Sequence, residues 1–462
     1  MRNILILLFV VWVAIPAATE VPPLQVPIGE IVEGISCLSN PTQTYTLYVP
    51  PGFSNDRRLP VLLVFDPRGR SLLAAELFRE AADTYGWIIV SSDNTRSDGP
   101  MEPNTIALQA LWPEIHDRLP IDFDRVYAAG FSGGAAVATV LSRATGELAG
   151  IIACGGRYFP DQLEGNKVPI FSTAGHLDFN YREMHLLDDF LAKQGNPHRL
   201  AVFEGPHTWM PPAVAWEAIE WFELIAMQKN LRETDPEIVS SLFAADLAKA
   251  EAYAAEGRAS DASRRYREIE QTYAGLTDTS EVRRRAEKIE KSSEFREQAK
   301  TIKKASAFER RCDESVNNGL SNLRSADLPP PVTQLAREFD IADLQRRAQQ
   351  TDRMGLAAQR CLNALLTGVA FYIPRDAAAE NQHALAATAY ELAVLIREDN
   401  PVVWYNLACM RARLGRDEMA MEALEQAIEV GFNRTELLTT DEDLDSLRDR
   451  DDFKQLLLAA AK

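Results

Sequence analysis

The chain has 462 residues, enough for two or three domains, and its 46% apolar and 25% charged residues are those of a globular protein with a sizeable core. Forty-nine Lys and Arg stand against 67 Asp and Glu, a formal net charge of −18. That balance excludes a nucleic-acid binder, which needs clustered cations to neutralise phosphates, and argues against adhesion to anionic membranes.

In chain order, Met1-Arg2-Asn3 precedes an apolar run from Ile4 to Ala14 and the small residues Ala17 and Ala18. A basic start, a short apolar run and a small-residue exit predict a signal peptide over residues 1–19. The run is too short for a comfortable membrane span. The protein is therefore expected to be exported, periplasmic or secreted, and membrane-anchored only if this segment is retained. No other stretch reads as a span.

From residue 25 to 228, strand-like runs alternate with amphipathic helical patterns. Strands are expected at Tyr45–Val49, Pro60–Asp66, Trp87–Ser91, Arg125–Phe131, Gly150–Cys154, Val168–Ala174 and Arg199–Phe203. Pro60–Asp66 is continuously apolar up to its last residue, as a strand buried on both faces should be. Helices are expected over 72–85, 105–118, 181–194 and 212–228. The alternation predicts an α/β fold with a mostly parallel sheet covered on both faces.

After residue 230 the strand pattern vanishes, and Ala, Glu, Arg and Leu recur at helical spacing. Pro329-Pro330-Pro331 divides this all-α part into regions 235–328 and 332–462. Trp404, Leu407, Ala408, Gly415, Ala420, Leu424 and Ala427 fall at seven anchor positions of a tetratricopeptide repeat, a 34-residue helix pair. Gly257, with Ala250, Tyr253, Ala262 and Tyr266, and the set Ala386, Tyr390 and Ala393 repeat parts of that pattern, as generic helix packing also would. The charged runs 283–291 and 441–452 read as solvated helix faces, and Asp441-Glu442-Asp443 lacks the spacing of a calcium loop.

Of five cysteines, Cys154 and Cys409 sit in apolar runs and read as buried; the odd count, with Cys37, leaves at least one thiol free. Cys312 and Cys361 lie on expected helices and are a candidate disulfide. No cysteine has metal-ligand spacing, and no metal or organic cofactor is expected.

The chemistry centres on Gly130-Phe131-Ser132-Gly133-Gly134, a G-x-S-x-G sequence between an expected strand and an expected helix. In that setting it is a nucleophile elbow, where Gly130 and Gly134 allow strand and helix to approach closely. An elbow serine needs a base and an acid to orient it. The strand ending at Ala174 is followed by Gly175-His176-Leu177-Asp178, and the strand ending at Phe203 by Glu204-Gly205-Pro206-His207. Asp178 and His207 thus stand in acid and base positions, in the order Ser, Asp, His. His176 competes as base but would reverse that order. A helix cap is the alternative reading of Asp178, a loop histidine that of His207. The N–H of Gly133 is the first candidate oxyanion donor, and the second should come from the loop after Pro60–Asp66.

These pieces, with LYVPPGF at 47–53, AGHLD at 174–178 and EGPHTW at 204–209, give residues 43–228 a resemblance to the α/β-hydrolase superfamily. Within it the segment is similar to small esterases grouped with polyhydroxybutyrate depolymerases and feruloyl or acetyl esterases. The resemblance implies a serine esterase with the triad Ser132, Asp178 and His207. Those relatives carry His-Gly after the third strand, where this chain has Asp66-Pro67-Arg68-Gly69. Pro67 has no N–H, so Arg68 is the second donor by position; pairing with Asp66 or binding an acidic substrate group are its alternatives.

The 46 residues from Ser132 to Asp178 and the 29 from Asp178 to His207 leave no room for a large cap. An open site is expected, edged by Tyr158, Phe159 and Trp209 unless these pack internally. It suits short acyl esters or polymer ends better than long lipids. The helical part is expected to bind a protein or peptide partner or to pack beside the site, without chemistry of its own. The rival readings are a peptidase with the same triad and a repeat-based binding protein on a weakly active or inactive hydrolase scaffold.

Overall fold

The computed structural model describes residues 24, 26–157, 160–326 and 328–460; the expected signal peptide lies outside them. Eight strands form one sheet: β1 (Ile31–Ser36), β2 (Thr44–Tyr48), β3 (Leu59–Phe65), β4 (Ile88–Ser92), β5 (Ile121–Phe131), β6 (Gly150–Cys154), β7 (Ile170–Gly175) and β8 (His198–Phe203). Their order is β1-β2-β4-β3-β5-β6-β7-β8. β2 pairs antiparallel with β1 and β4, and the remaining neighbours are parallel. β1, half-exposed on the edge, is absent from the sequence reading because IVEGIS shows no strict alternation.

Neighbouring residues of the central strands go to opposite faces, and each face is closed by helices. Val61, Leu63, Val126, Ala128 and Ile151 pack under α2 (Glu102–Arg118), α3 (Gly133–Thr145) and α5 (Tyr181–Gln194). Leu62, Val64, Tyr127, Ala129 and Ile152 pack under α1 (Ser71–Tyr85) and, beyond the short α4 (Pro160–Leu163), α6 (Pro212–Gln228). Burial on both faces explains the continuous apolar run of β3. This is the α/β-hydrolase sheet architecture that the sequence implied.

The rest of the chain is helical: α7 (Pro236–Ala255), α8 (Ala259–Thr272), α9 (Ser280–Glu290), α10 (Ser293–Ser325), α11 (Val332–Glu338), α12 (Ile341–Ala348), α13 (Arg353–Thr367), α14 (Ile373–Ala379), α15 (His383–Ile396), α16 (Pro401–Arg413), α17 (Asp417–Glu429), α18 (Thr435–Thr440) and α19 (Asp451–Ala460). Local chemistry sets several starts. Asp235 caps α7 and Asn400 caps α16, each accepting two amide hydrogen bonds ahead of a first-turn proline. In α16 and α17 the small or apolar residues Leu407, Ala408, Ala420, Leu424 and Ala427 are fully buried in the contact between the two helices and their neighbours.

Two sequence expectations need correction. A π-helical turn, Gly368–Tyr372, joins α13 to α14. The continuous helix Arg353–Ala379 is long and apolar enough to cross a membrane by length and composition, where the sequence reading saw no such stretch. Its apolar character has a local cause: Leu365, Val369 and Ile373 are buried against Leu320, Phe339 and Leu392. Cys312 and Cys361 adjoin each other as free thiols rather than a disulfide; the hydrogen bond with Cys312 and burial both push the Cys361 thiol far up.

The sheet part and the first helices share a core. Leu224 and Met227 of α6 pack with Val239, Tyr266 and Ile269, and Trp221 donates its indole N–H to Thr272 at 3.0 Å. A buried ionic network crosses the same boundary. Arg199 of β8 meets Asp246 of α7 at 2.8 Å, Arg265 of α8 meets Glu217 of α6 at 2.8 Å, and Tyr273 donates to Asp246 at 3.0 Å. Burial works against ionisation of Asp246, but Arg199 and Arg265 outweigh it and hold the carboxyl below its usual range. A chain cut near residue 230 would expose that apolar face and remove Asp246 and Arg265, leaving Arg199 only its longer contact with Glu217 at 3.5 Å, so the fragment 20–230 should be insoluble or strongly destabilised. Soluble expression and a cooperative thermal transition for that fragment would contradict this.

Candidate active site

Ser132, Asp178 and His207 follow β5, β7 and β8 at the C-terminal edge of the sheet, and the fold brings them together. His207 Nε2 lies 3.0 Å from Ser132 Oγ, and His207 Nδ1 lies 2.8 Å from Asp178 Oδ1.

Ser132 sits at φ 52°, ψ −119°, a positive φ that an L-residue holds only where its surroundings enforce it. The enforcement is visible. A Cβ on Gly134 would lie 1.9 Å from the Phe65 carbonyl oxygen, and one on Gly130 would lie 2.0 Å from the Gly134 carbonyl oxygen. Only glycine permits this approach of α3 to β3 and β5. The Ser132 amide is held by the Cys154 carbonyl at 2.8 Å. Gly133 opens α3, so its N–H has no acceptor within the helix and stands beside Ser132 at the positive end of the helix dipole.

Asp178 is fully buried. Its Oδ1 accepts the Asn180 amide at 2.7 Å besides His207, and His207 is its one ion-pair partner among the described residues. A buried carboxylate bonded to Nδ1 fixes the orientation of the ring. Phe131 and Phe179 flank the imidazole, at ring-centroid distances of 4.6 and 4.2 Å. Gly155, at φ 53°, makes room for both groups: its Cβ would fall 2.7 Å from Asp178 Oδ2 and 3.3 Å from His207 Nδ1. Asn180 ties the two loops by donating to the Gly155 carbonyl at 2.8 Å. His176 lies apart from Ser132 in role; its Nδ1 accepts the Gly205 N–H at 3.0 Å and so ties the acid loop to the base loop.

Arg68 does not take the place expected of it. Its N–H goes to Asp66 Oδ1 at 2.8 Å, and the amides of Gly69 and Arg70 are likewise bonded to Asp66. The loop after β3 therefore closes on its own aspartate, and the Arg68 amide is not free for an oxyanion. The side chain paired with Asp66 is that of Arg70, at 2.8 Å, whereas the Arg68 guanidinium lies over the Phe371 ring. Burial raises the Asp66 pKa, but hydrogen bonds from Arg70, Trp209 and the loop amides prevail and hold it low. Trp209 is likewise not at the rim of the site. It is buried against Phe78 and Phe131 and donates to Asp66 at 2.8 Å. Tyr158 and Phe159 lie outside the described residues.

The site is also less open than expected. Ser132 and Gly133 border a cleft of about 790 Å³ whose opposite wall is α10 and the α13 segment, including Val316, Leu320, Gly368 and Tyr372. The intervals between the three site residues indeed hold no cap; the covering helices come from far down the chain. They also grip the acid loop. Arg360 of α13 donates to the His176 carbonyl at 2.8 Å, and Asn363 donates to the Leu177 carbonyl at 2.9 Å. Arg360 is itself buried, paired with Glu309 of α10, and stacked over Tyr181 at 4.2 Å. Arg182 of α5 meets Asp313 of α10 at 2.9 Å, and the Tyr372 hydroxyl donates to Asp98 at 3.0 Å. Sequence reasoning had no signal for Gly155, Phe179 or Asn180 beyond their closeness to the site in the chain, and none for Arg360 and Asn363.

A family model described as A/B hydrolase-like, N-terminal domain, matches residues 380–462, the segment that holds α15 to α19. No curated protein matches the chain. Among solved structures, the fluorophosphonate-binding serine hydrolase FphF of Staphylococcus aureus, with substrate bound, is 14% identical at a TM-score of 0.35, over 42% of this chain and 99% of that one. A ferulic acid esterase is 16% identical at 0.35, over 42% and 98%. The S-formylglutathione hydrolase of S. aureus is 13% identical at 0.35, over 42% and 97%.

Two outcomes follow from the geometry. Asp178→Asn should leave the fold intact and cut turnover by about 10⁴, because the ring of His207 would take the wrong tautomer; steady-state kinetics beside circular dichroism checks this. Asn363→Ala and Arg360→Met should lower kcat by up to about 10²-fold, with KM little changed, by loosening the loop that aims Asp178. An unchanged kcat in both would mean that the acid loop holds itself.

Proposed function

We propose that the protein is an exported serine hydrolase that cleaves carboxylic esters, of short acyl chains or polymer-linked, through an acyl-enzyme. The observation that carries this reading is the unbroken hydrogen-bonded line Ser132–His207–Asp178 at the edge of the sheet. Ser132 Oγ attacks the acyl carbon while His207 Nε2 takes its proton. The same proton then goes to the leaving alcohol, and the C–O bond breaks. Water, deprotonated by His207, releases the acid and restores Ser132. Asp178 stabilises the imidazolium in both halves, and the Gly133 N–H faces the developing oxyanion. The reading calls on the chain's own side chains and backbone and needs no cofactor.

One observation favours a second reading, a binding protein whose helical repeats hold a protein or peptide partner on a weakly active hydrolase scaffold. Every amide of the loop after β3 that could serve as a second oxyanion donor is bonded to Asp66. Loss of one such donor costs about 10²–10³ in kcat. Hydrolysis of p-nitrophenyl acetate and butyrate by the wild type and by Ser132→Ala separates the two. The ester-hydrolase reading expects wild-type turnover that disappears in the variant. Equal background rates in both would transfer the function to the helices. Peptide p-nitroanilides in the same assay test a peptidase.

A further inference from the structure

We infer that the cleft selects substrates bearing a carboxylate away from the scissile bond, and that Arg157, with Arg96, receives it. The inference takes the identity of the bond from the ester-hydrolase reading above; the anion site stands on separate observations.

A protein with a net charge of −18 is expected to line its surface with carboxylates, yet five guanidiniums border this cleft: Arg96, Arg157, Arg182, Arg310 and Arg324. Three are neutralised in place. Arg182 lies between Glu183 at 3.1 Å and Asp313 at 2.9 Å, Arg310 meets Glu314 at 2.7 Å, and Arg324 reaches Asp376 at 3.5 Å. Arg96 and Arg157 have no carboxylate within ion-pair distance among the described residues. Arg96 is nonetheless fixed, because its Nη1 donates to the carbonyls of Asp93 at 2.9 Å and Thr95 at 2.7 Å. Its backbone N–H goes to Asn104 Oδ1 at 2.8 Å, and the other N–H groups of its guanidinium have no hydrogen-bond acceptor among the described residues.

Arg157 is placed by the catalytic loops themselves. It follows Gly155, packed on Asp178 and His207, and Gly156, whose Cβ position is 3.7 Å from the Ser132 carbonyl oxygen. The remaining acid on this side is Asp98, which is already engaged by the hydroxyls of Ser97 at 2.7 Å and Tyr372 at 3.0 Å. Burial and Asp98 push the Tyr372 hydroxyl up to about 12, against opposing pulls from Arg375 and, more weakly, Arg157, so it remains a neutral donor beside those cations.

These charges discriminate between substrates. A neutral ester group beside the two guanidiniums displaces part of their water and offers only an uncharged acceptor in return. A carboxylate replaces that water with charge-assisted hydrogen bonds, and the planar guanidinium matches it two atoms to two. Both guanidiniums are exposed, so the attraction is open to screening by salt.

The test compares matched ester pairs. On the acyl side, the mono-4-nitrophenyl ester of adipic acid is set against its methyl-capped form. On the leaving side, 3-carboxy-4-nitrophenyl butyrate is set against 4-nitrophenyl butyrate. At low salt, one pair should show a preference for the anion of about tenfold or more in kcat/KM. The pair that shows it tells which side of the bond faces Arg157. The preference should shrink at 0.5 M salt, fall toward one in Arg157→Gln, and persist in part in Arg157→Lys. Thermal unfolding of each variant verifies folding. Equal kcat/KM within both pairs, or a preference indifferent to Arg157→Gln, overturns the inference. A second measurement is independent of turnover: calorimetric binding of monomethyl adipate and dimethyl adipate to Ser132→Ala. If no ester is hydrolysed but the monoanion still binds preferentially and loses that preference with Arg157→Gln, the ester-hydrolase reading fails and the anion site stands. Absence of preferential binding removes the anion site.

Discussion

Backbone touching backbone at Phe65, Gly130 and Gly134 is the constraint on which the rest of the molecule turns. With α3 drawn onto β3 and β5 at these points, the chain between strand and helix has one way to run, and Ser132 takes a positive φ at its apex. That places Oγ above the sheet edge, within reach of a histidine arriving from β8, and leaves the Gly133 N–H pointing out of the helix end. The strain at Ser132 is held by the packing of the whole sheet, whose central strands are buried on both faces.

The second organising feature is that the helical part is not an appendage. It shares the core of α6, crosses the boundary with a buried ionic network, walls the cleft, and hydrogen-bonds the loop that carries Asp178. A buried arginine such as Arg360 is costly unless its hydrogen bonds are made. Here they are made to Glu309 and to the His176 carbonyl, so the position of the acid loop and the seating of α13 on α10 satisfy the same side chain.

How much of this the sequence shows depends on the range of the interaction. The elbow, the three loop positions and nearly all the strands are legible because they are local: alternation of strand and helix, glycines at a tight turn, polar residues just after apolar runs. Arg68 is misjudged for a physical reason that one-dimensional reading misses. Position names it as the donor, but Asp66, two residues earlier and buried, takes the amide first. Trp209 likewise sits in the base loop but points inward to the same carboxylate. The expectation of an open site is met only in part because interval lengths report only insertions between site residues, and the helices that wall the cleft lie outside those intervals. The apolar helix Arg353–Ala379 escapes notice because its Arg, Asn and Gln residues interrupt the run, while its buried face is nonetheless continuous.

The hydrogen bonds from α13 to the acid loop span 184 and 186 positions of sequence. During synthesis the sheet, the elbow and all three candidate site residues emerge long before Arg360 and Asn363 exist. Long-range closures of this kind form late. The molecule therefore carries a built-in delay: a nascent or half-folded chain presents Ser132, His207 and Asp178 without the final brace of the Asp178 loop, and the completed candidate site arrives with the last third of the polypeptide.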